Sequence, residues 1–260
     1  MGSRFLTPMV EHMDRALQNK AELTTIQETL ARKIDLSDRL APSEIKIVSG
    51  VDMAYWKDRN GSEFALCCII TIDRCTKTVL ESTCGAELIT VPYAPSFLAF
   101  RELPAIMNAY KRLSHKPDLL MFDGNGYLHS RHMGLATHAA IELDTPAIGI
   151  AKSYLKIDGV DYTMPENEAG AYNDIVIRGE VYGRVLRTRQ DVKPIFVSSG
   201  NWVSLDTATE ITLSLITPES RQPMPTRLAD ILVRKTCSSI LADETNCSLQ
   251  EITSRFESLV

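Results

Sequence analysis

Three strand-like runs with almost no chain between them constrain this fold more than any other feature. Residues 45–55, 63–73 and 79–88 are rich in apolar and β-branched side chains, and the breaks at 57–61 and 73–77 carry turn chemistry. Breaks that short cannot hold a parallel crossover, so the runs predict an antiparallel meander. The second half is organised differently. A helix near 99–115 precedes the short apolar run 119–122, and a helix near 132–143 precedes 147–150. Such alternation predicts parallel strands covered on both faces. Residues 180–188 and 194–198 read as further strands, followed by helices near 204–216 and 225–241 and a helical tail from 248. At the other end, Val10, Met13, Leu17, Leu23, Ile26, Leu30 and Ile34 recur at helical spacing, which predicts a helix over 7–34. The expected fold class is α/β: a mixed sheet, an antiparallel three-stranded meander extended by parallel strands, flanked by helices. One domain is expected over 1–260, with an acidic surface insertion at 157–174 and a C-terminal tail at 242–260.

Composition narrows the class. Apolar residues make up 44% and charged residues 23% of the 260, values that exclude collagen-like, low-complexity and disordered chains. The longest apolar run, 64–72, is broken only by Thr71; a membrane span needs roughly 18–20 residues. No basic-then-apolar signal segment opens the chain, so a soluble, cytoplasmic protein without membrane contact is expected. The six cysteines show neither CxxC nor zinc spacing, and the adjacent Cys67 and Cys68 are expected in the core.

Two aspartates stand where α/β sheets gather ligands. Asp52 lies in the first strand, and Asp123 ends the run 119–122 just before a Gly-Asn-Gly turn. Glu102 lies near the start of the 99–115 helix, where a carboxylate is also a favourable partner for the helix dipole. Carboxylates converging on one point repel, and a hard divalent cation such as Mg²⁺ is the usual resolution. Spacing alone leaves their convergence open.

Four segments, in order, supply what spacing does not: GVDMAY (50–55), PYAPSFLAFRE (92–102), DGNGYLHSRHMGLA (123–136) and GIAK (149–152). A weaker pair follows, PIFVSSG (194–200) with PTRLAD (225–230). Together they resemble the endonuclease V family, deoxyinosine-directed endonucleases with an RNase H-like fold. The similarity runs from about residue 10 to about 235. It implies that Asp52, Glu102 and Asp123 are catalytic, metal-binding carboxylates using Mg²⁺, for which Mn²⁺ can substitute. Lys152 is implied beside the attacked phosphate, and Asp230 as a further acidic residue close to the metal. The implied reaction is hydrolysis of the second phosphodiester bond 3′ to inosine, leaving 3′-hydroxyl and 5′-phosphate ends, in repair of deaminated bases.

The resemblance also makes Pro92, Tyr93 and Pro95 part of a strand-separating wedge. Ser96, Leu98, Gly124 and Gly149 would line the pocket for the extracted base, and His129 and Arg131 would contact the strand. The partner implied is inosine-containing DNA, with RNA left open because only 2′-hydroxyl contacts distinguish the two. A monomer is implied. Three positions depart from the family pattern: Ser96 stands for glycine, Asn125 for histidine, and Asn201-Trp202 for His-Arg. A histidine at 201 would be expected close to the metal, so altered metal preference is expected here. Two other readings stay open: a binding protein that cleaves weakly, and an RNA-directed or structure-directed nuclease on the same fold. The formal charge is −5. Arg178, Arg184, Arg187, Arg189 and Lys193, with Arg101, Lys111, Arg112 and Lys116, are the candidates for a local basic face.

Overall fold

The computed structural model describes residues 20–242. Its elements, in chain order, begin with α1 (Lys20–Ala31), β1 (Ile47–Lys57), β2 (Glu63–Asp73), β3 (Val79–Leu88) and α2 (Leu98–Lys111). Next come β4 (Leu119–Phe122), α3 (Leu135–Leu143), β5 (Ala147–Ala151), β6 (Tyr172–Ile177), β7 (Glu180–Leu186) and β8 (Ile195–Asn201). The last are α4 (Leu205–Ser214), the small hairpin β9 (Ile216–Thr217) and β10 (Ser220–Pro223), and α5 (Met224–Ala242).

Eight strands form one sheet in the order β3-β2-β1-β4-β5-β8-β7-β6. The first three are the expected meander. Its turns are closed by side chains: Asp58 accepts from the amides of Asn60 and Ser62, and Asp73 accepts from the amide of Thr76. β4 and β5 then run parallel to β1, which completes the mixed, RNase H-like sheet. Beyond β5 the strands turn antiparallel again through β8, β7 and β6. β6 was not legible in the sequence, because its alternating burial leaves Tyr172, Asp174 and Val176 exposed. The acidic stretch 157–174 differs from the expected surface insertion at both ends. Ile157 is buried with Tyr154 and Phe196, and residues 172–174 open β6. The start of the 7–34 helix and the tail from 243 lie outside the described residues.

Strand periodicity divides the core between two faces. Val51, Ala65, Cys67, Ile69 and Phe122 pack beneath α2 and α3, while Val48, Ile70, Ile72, Met121 and Ile150 pack beneath α4 and α5. This double burial explains why β2 reads as an almost unbroken apolar run, with Cys67 and Cys68 in the core as expected. Three of the nine basic residues expected on a surface face are differently employed. Arg184 is buried between Asp174 and Asp206, and Arg187 donates to the carbonyls of Pro165, Glu166 and Val192. Arg101 is buried against Glu63 and the carbonyl of Val91. These arginines are structural, because a buried guanidinium must satisfy its donors within the protein. No helix among the described residues is long and apolar enough to cross a membrane.

Candidate active site

The parallel register sets Asp52 beside Asp123. Val51 pairs with Phe122, and the Asp123 amide donates to the Val51 carbonyl at 3.2 Å. Side chains alternate along a strand, so Gly50 and Asp52 both face α5. Gly50 lets that helix lie almost on the strand: a Cβ there would fall 2.1 Å from the carbonyl carbon of Pro225. The close approach brings Asp230 down onto the pair. One carboxylate oxygen from each of Asp52, Asp123 and Asp230 lies within 4.8 Å of the others.

Lys152, the residue after β5, completes the cluster. Its Nζ is 2.5 Å from Asp123 and 3.2 Å from Asp230. Burial disfavours the ammonium, but Asp123, Asp52 and Asp230 outweigh it and raise the Lys152 pKa. Asp52 is pushed up to about 7, first by burial and then by the neighbouring charge of Asp123. At Asp230 burial works against the charge, yet the hydrogen bond with Asp52, together with Lys152 and Arg234, holds the pKa down. The cluster alone therefore favours protonation of Asp52 over Asp230, to which it is hydrogen-bonded.

Glu102 arrives from the opposite face of the sheet. It lies in α2, only 4% exposed, and Oε1 accepts from the hydroxyl of Tyr55, which is on the α2 side of β1. Burial pushes its carboxyl up to about 7, against the opposing effects of Tyr55 and Arg101, and the charge of Asp123 adds to the rise. The expected trio of Asp52, Glu102 and Asp123 is thus arranged as an Asp52–Asp123–Asp230 cluster, with Glu102 approaching from beneath. Asp230 belongs in it because Gly50 seats its helix, a relation the sequence pattern does not show.

Two features fit this set to a divalent cation. The Glu102 Oε2 atom is buried without a hydrogen-bond partner, and three carboxylates crowd into a partly dry space where they cannot all stay ionised unaided. All-oxygen donors of this kind suit Mg²⁺ or Mn²⁺.

The proline-bracketed loop stands out from the surface. Tyr93 is 69% exposed and Pro92 and Pro95 are exposed, whereas Val91 and Phe97 on either side are buried. Ser96 has φ +69°, and the Phe97 amide donates to the Ala94 carbonyl at 3.1 Å. With Pro95 at the second position this is a type II turn, whose third residue is ordinarily glycine. The departure at 96 therefore places a left-handed serine in a glycine position, at a cost of about 1–2 kcal/mol. Leu98 is exposed at the start of α2. At Gly124 a Cβ would make only ordinary contact with Leu135, at 3.7 Å, but Gly149 is buried: a Cβ there would lie 2.4 Å from the Gly126 nitrogen and 2.6 Å from the Gly124 oxygen. Gly149 seats the loop that follows Asp123.

His129 and Arg131 are turned inward, toward Ser96. The His129 Nε2 donates to the Ser96 carbonyl at 3.2 Å and its Nδ1 accepts from the Arg131 amide. Burial, aided by Arg131, lowers its pKa to about 4, so the ring is neutral. Asn201 lies away from the cluster. It pairs with Ala147, the opposite end of β5 from Lys152, about 16 Å along the strand direction. There it is fully buried and its Oδ1 accepts from the Asp35 amide at 2.7 Å. The expectation that Asn201 tunes metal preference is withdrawn: β8 runs antiparallel to β5, so residue 201 sits at the far end. Trp202, at φ +58°, stacks against Arg39 beside it.

Carboxylates from the middle of β1, the end of β4 and α5 thus converge on one side of a mixed, RNase H-like α/β sheet, as a candidate cation site. The Endonuclease V family model matches residues 28–231, and the chain belongs to that family. It is 54% identical over 214 residues to Endonuclease V of Bacillus thuringiensis subsp. konkukian, covering 82% of this chain and 91% of the relative. The crystal structure of Endonuclease V from Bacillus subtilis is similar at TM-score 0.84 and 51% identity, over 87% of this chain and 95% of that one. Endonuclease V of Ciona intestinalis, in complex with a 24mer DNA containing an inosine followed by a ribo-adenosine, is similar at TM-score 0.75 and 29% identity. That match spans 85% of this chain and 98% of the other.

Proposed function

We propose that this protein is a Mg²⁺-dependent endonuclease that cleaves an inosine-containing nucleic-acid strand at the second phosphodiester bond 3′ to the inosine, acting on deaminated bases. The observation that carries the reading is the Asp52–Asp123–Asp230 cluster, drawn within 4.8 Å and faced by Lys152. The inosine-containing DNA held by the Ciona relative supports the choice of partner.

Asp52, Asp123 and Asp230 would hold the cation, with the unpaired Glu102 oxygen on its other side. A divalent cation bound there supplies charge for the phosphate and lowers the pKa of water. Lys152 places an ammonium beside the reacting phosphate, where it stabilises developing negative charge. Tyr55 holds Glu102 by its hydroxyl and so orients the remaining oxygen. Exposed Tyr93, stiffened by Pro92 and Pro95, offers a flat ring to stack where a base has been withdrawn. Ser96, Leu98 and Gly124 would line the pocket for the extracted base.

The test uses matched end-labelled DNA and RNA oligonucleotides, each with one inosine, in Mg²⁺, in Mn²⁺ and in EDTA. The expected product is a single cut at the second bond 3′ to inosine, absent in EDTA and in Asp52→Ala and Asp123→Ala. The better-cut oligonucleotide names the preferred sugar. Binding without cleavage in either metal would refute the reading.

A further inference from the structure

The side chain of Gln27, in α1, has no exposed surface, yet it takes no part in the chemistry above. Its Nε2 donates to the Ser96 carbonyl at 3.0 Å and to the Met133 carbonyl at 3.4 Å, and its Oε1 accepts from Arg131 Nε at 2.6 Å. The Ser96 carbonyl also receives Arg131 Nη2 and His129 Nε2, each at 3.2 Å. A carbonyl has two lone pairs, so three side-chain donors from two distant segments fix its direction closely. Arg131 lies in addition over the ring of Phe97, 4.6 Å from its centre.

The clamped peptide belongs to the type II turn that closes the proline-bracketed loop. Ser96 is the residue of that turn for which an L side chain is unfavourable. We propose that Gln27 is a positioning residue: with Arg131 and His129 it holds the Ser96 peptide in the left-handed turn and thereby sets how Tyr93 meets a nucleic-acid strand. The α1 helix supports the same loop through Leu23 and Ile26, packed against Val91, Phe97 and Ala94. The clamp is needed because glycine is absent from position 96. This inference rests on the reading of residues 92–95 as the strand-contacting loop.

The test is a double-mutant cycle of Gln27→Met with Ser96→Gly. In the otherwise native protein, Gln27→Met is expected to lower kcat/KM on an inosine-containing strand about tenfold, chiefly through KM. In the Ser96→Gly background the loss should fall below about threefold, because glycine takes the left-handed conformation without steric cost. Equal losses in both backgrounds would mean a general structural role and overturn the proposal. Hydrogen exchange at the Phe97 amide, bonded to the Ala94 carbonyl, reads the turn without any substrate. It should quicken about tenfold in Gln27→Met and less in the double variant; unchanged exchange would also overturn the clamp. If the native protein fails to cleave the strand, the functional reading falls, while exchange at Phe97 still decides the clamp. Should Gln27→Met not fold, Gln27→Glu keeps the Arg131 partner, removes both donations to carbonyls, and is judged by the same two measurements.

Discussion

Replacing Gly50 by alanine should damage the active site through a helix, without touching any carboxylate. The added Cβ would lie 2.1 Å from the Pro225 carbonyl carbon, 2.3 Å from its oxygen and 2.4 Å from the Thr226 nitrogen, where ordinary contact begins near 3.4 Å. All three are backbone atoms at the start of α5 and cannot rotate aside. The helix must therefore lift from β1 by somewhat more than about 1 Å, a displacement of the overpacking kind that costs about 1–3 kcal/mol. Asp230 rides on the same helix, and the carboxylate cluster spans only 4.8 Å. Misplacing a reacting group by about 1 Å costs on the order of 10²-fold in rate. Urea unfolding gives the first quantity. Single-turnover cleavage of an inosine strand, under conditions where the variant remains folded, gives the second. A Gly50→Ala protein with an unchanged urea midpoint and a rate within threefold of native would refute the reasoning.

Three other outcomes follow from the described contacts. His138 is 1% exposed and set edge-on to Phe100, and burial, with a contribution from His129, lowers its pKa to about 3. A depressed histidine pKa means that the unfolded chain takes the proton first as pH falls below about 6.5, so this residue removes stability in acid. The loss between pH 7 and pH 5 is about 2 kcal/mol, and His138→Phe should lose that much less than native in urea melts at the two pH values. Asn201→His should leave the Mg²⁺ and Mn²⁺ profiles of cleavage unchanged but lower stability by about 1–3 kcal/mol, since it strips the Asp35 amide of a buried partner. Thermal melts and metal titrations measure the two effects, and an altered metal profile would restore a role at the metal. Tyr93→Ala should leave the Tm within about 1 °C because the ring is exposed, while binding of an inosine strand weakens by about 1–3 kcal/mol of lost stacking.

The sequence was most informative where a local rule acts alone. Turn residues at 57–61 and 73–77 closed the meander, and strand-helix alternation announced β4 and β5. It was least informative where a partner from elsewhere decides. Asp230 sits in an ordinary helical pattern, and only the missing side chain at Gly50 brings it to Asp52. Glu102 looked equivalent to the two strand aspartates, yet strand parity puts it on the other side of the sheet with Tyr55. Arg184 and Arg187 resembled a basic stripe because charge counts do not reveal burial, and their partners Pro165, Glu166, Asp174 and Asp206 lie outside the stripe. Asn201 invited a functional reading from its neighbours in the chain, whereas the antiparallel return of β8 carries it to the far end of β5. Gln27 could not be found at all from pattern, since a glutamine on a helix is ordinarily solvated.

The loop after Asp123 is seated mostly by backbone, with the Gly126 amide donating to the Ser198 hydroxyl at 2.9 Å. Gly149 lies under Gly124 and Gly126, Gly126 lies against the Ser199 carbonyl, and Gly134 against the carbonyls of Asn125 and Gly126, each too close for a Cβ. A surface assembled this way has few side chains to exchange, and its donors and acceptors are those every sequence possesses. Point substitution can obstruct it but can scarcely rewrite it; a different pattern of amides and carbonyls would require the chain to take another path. The path of that loop is thus held constant by geometry while the side chains around it are free to vary.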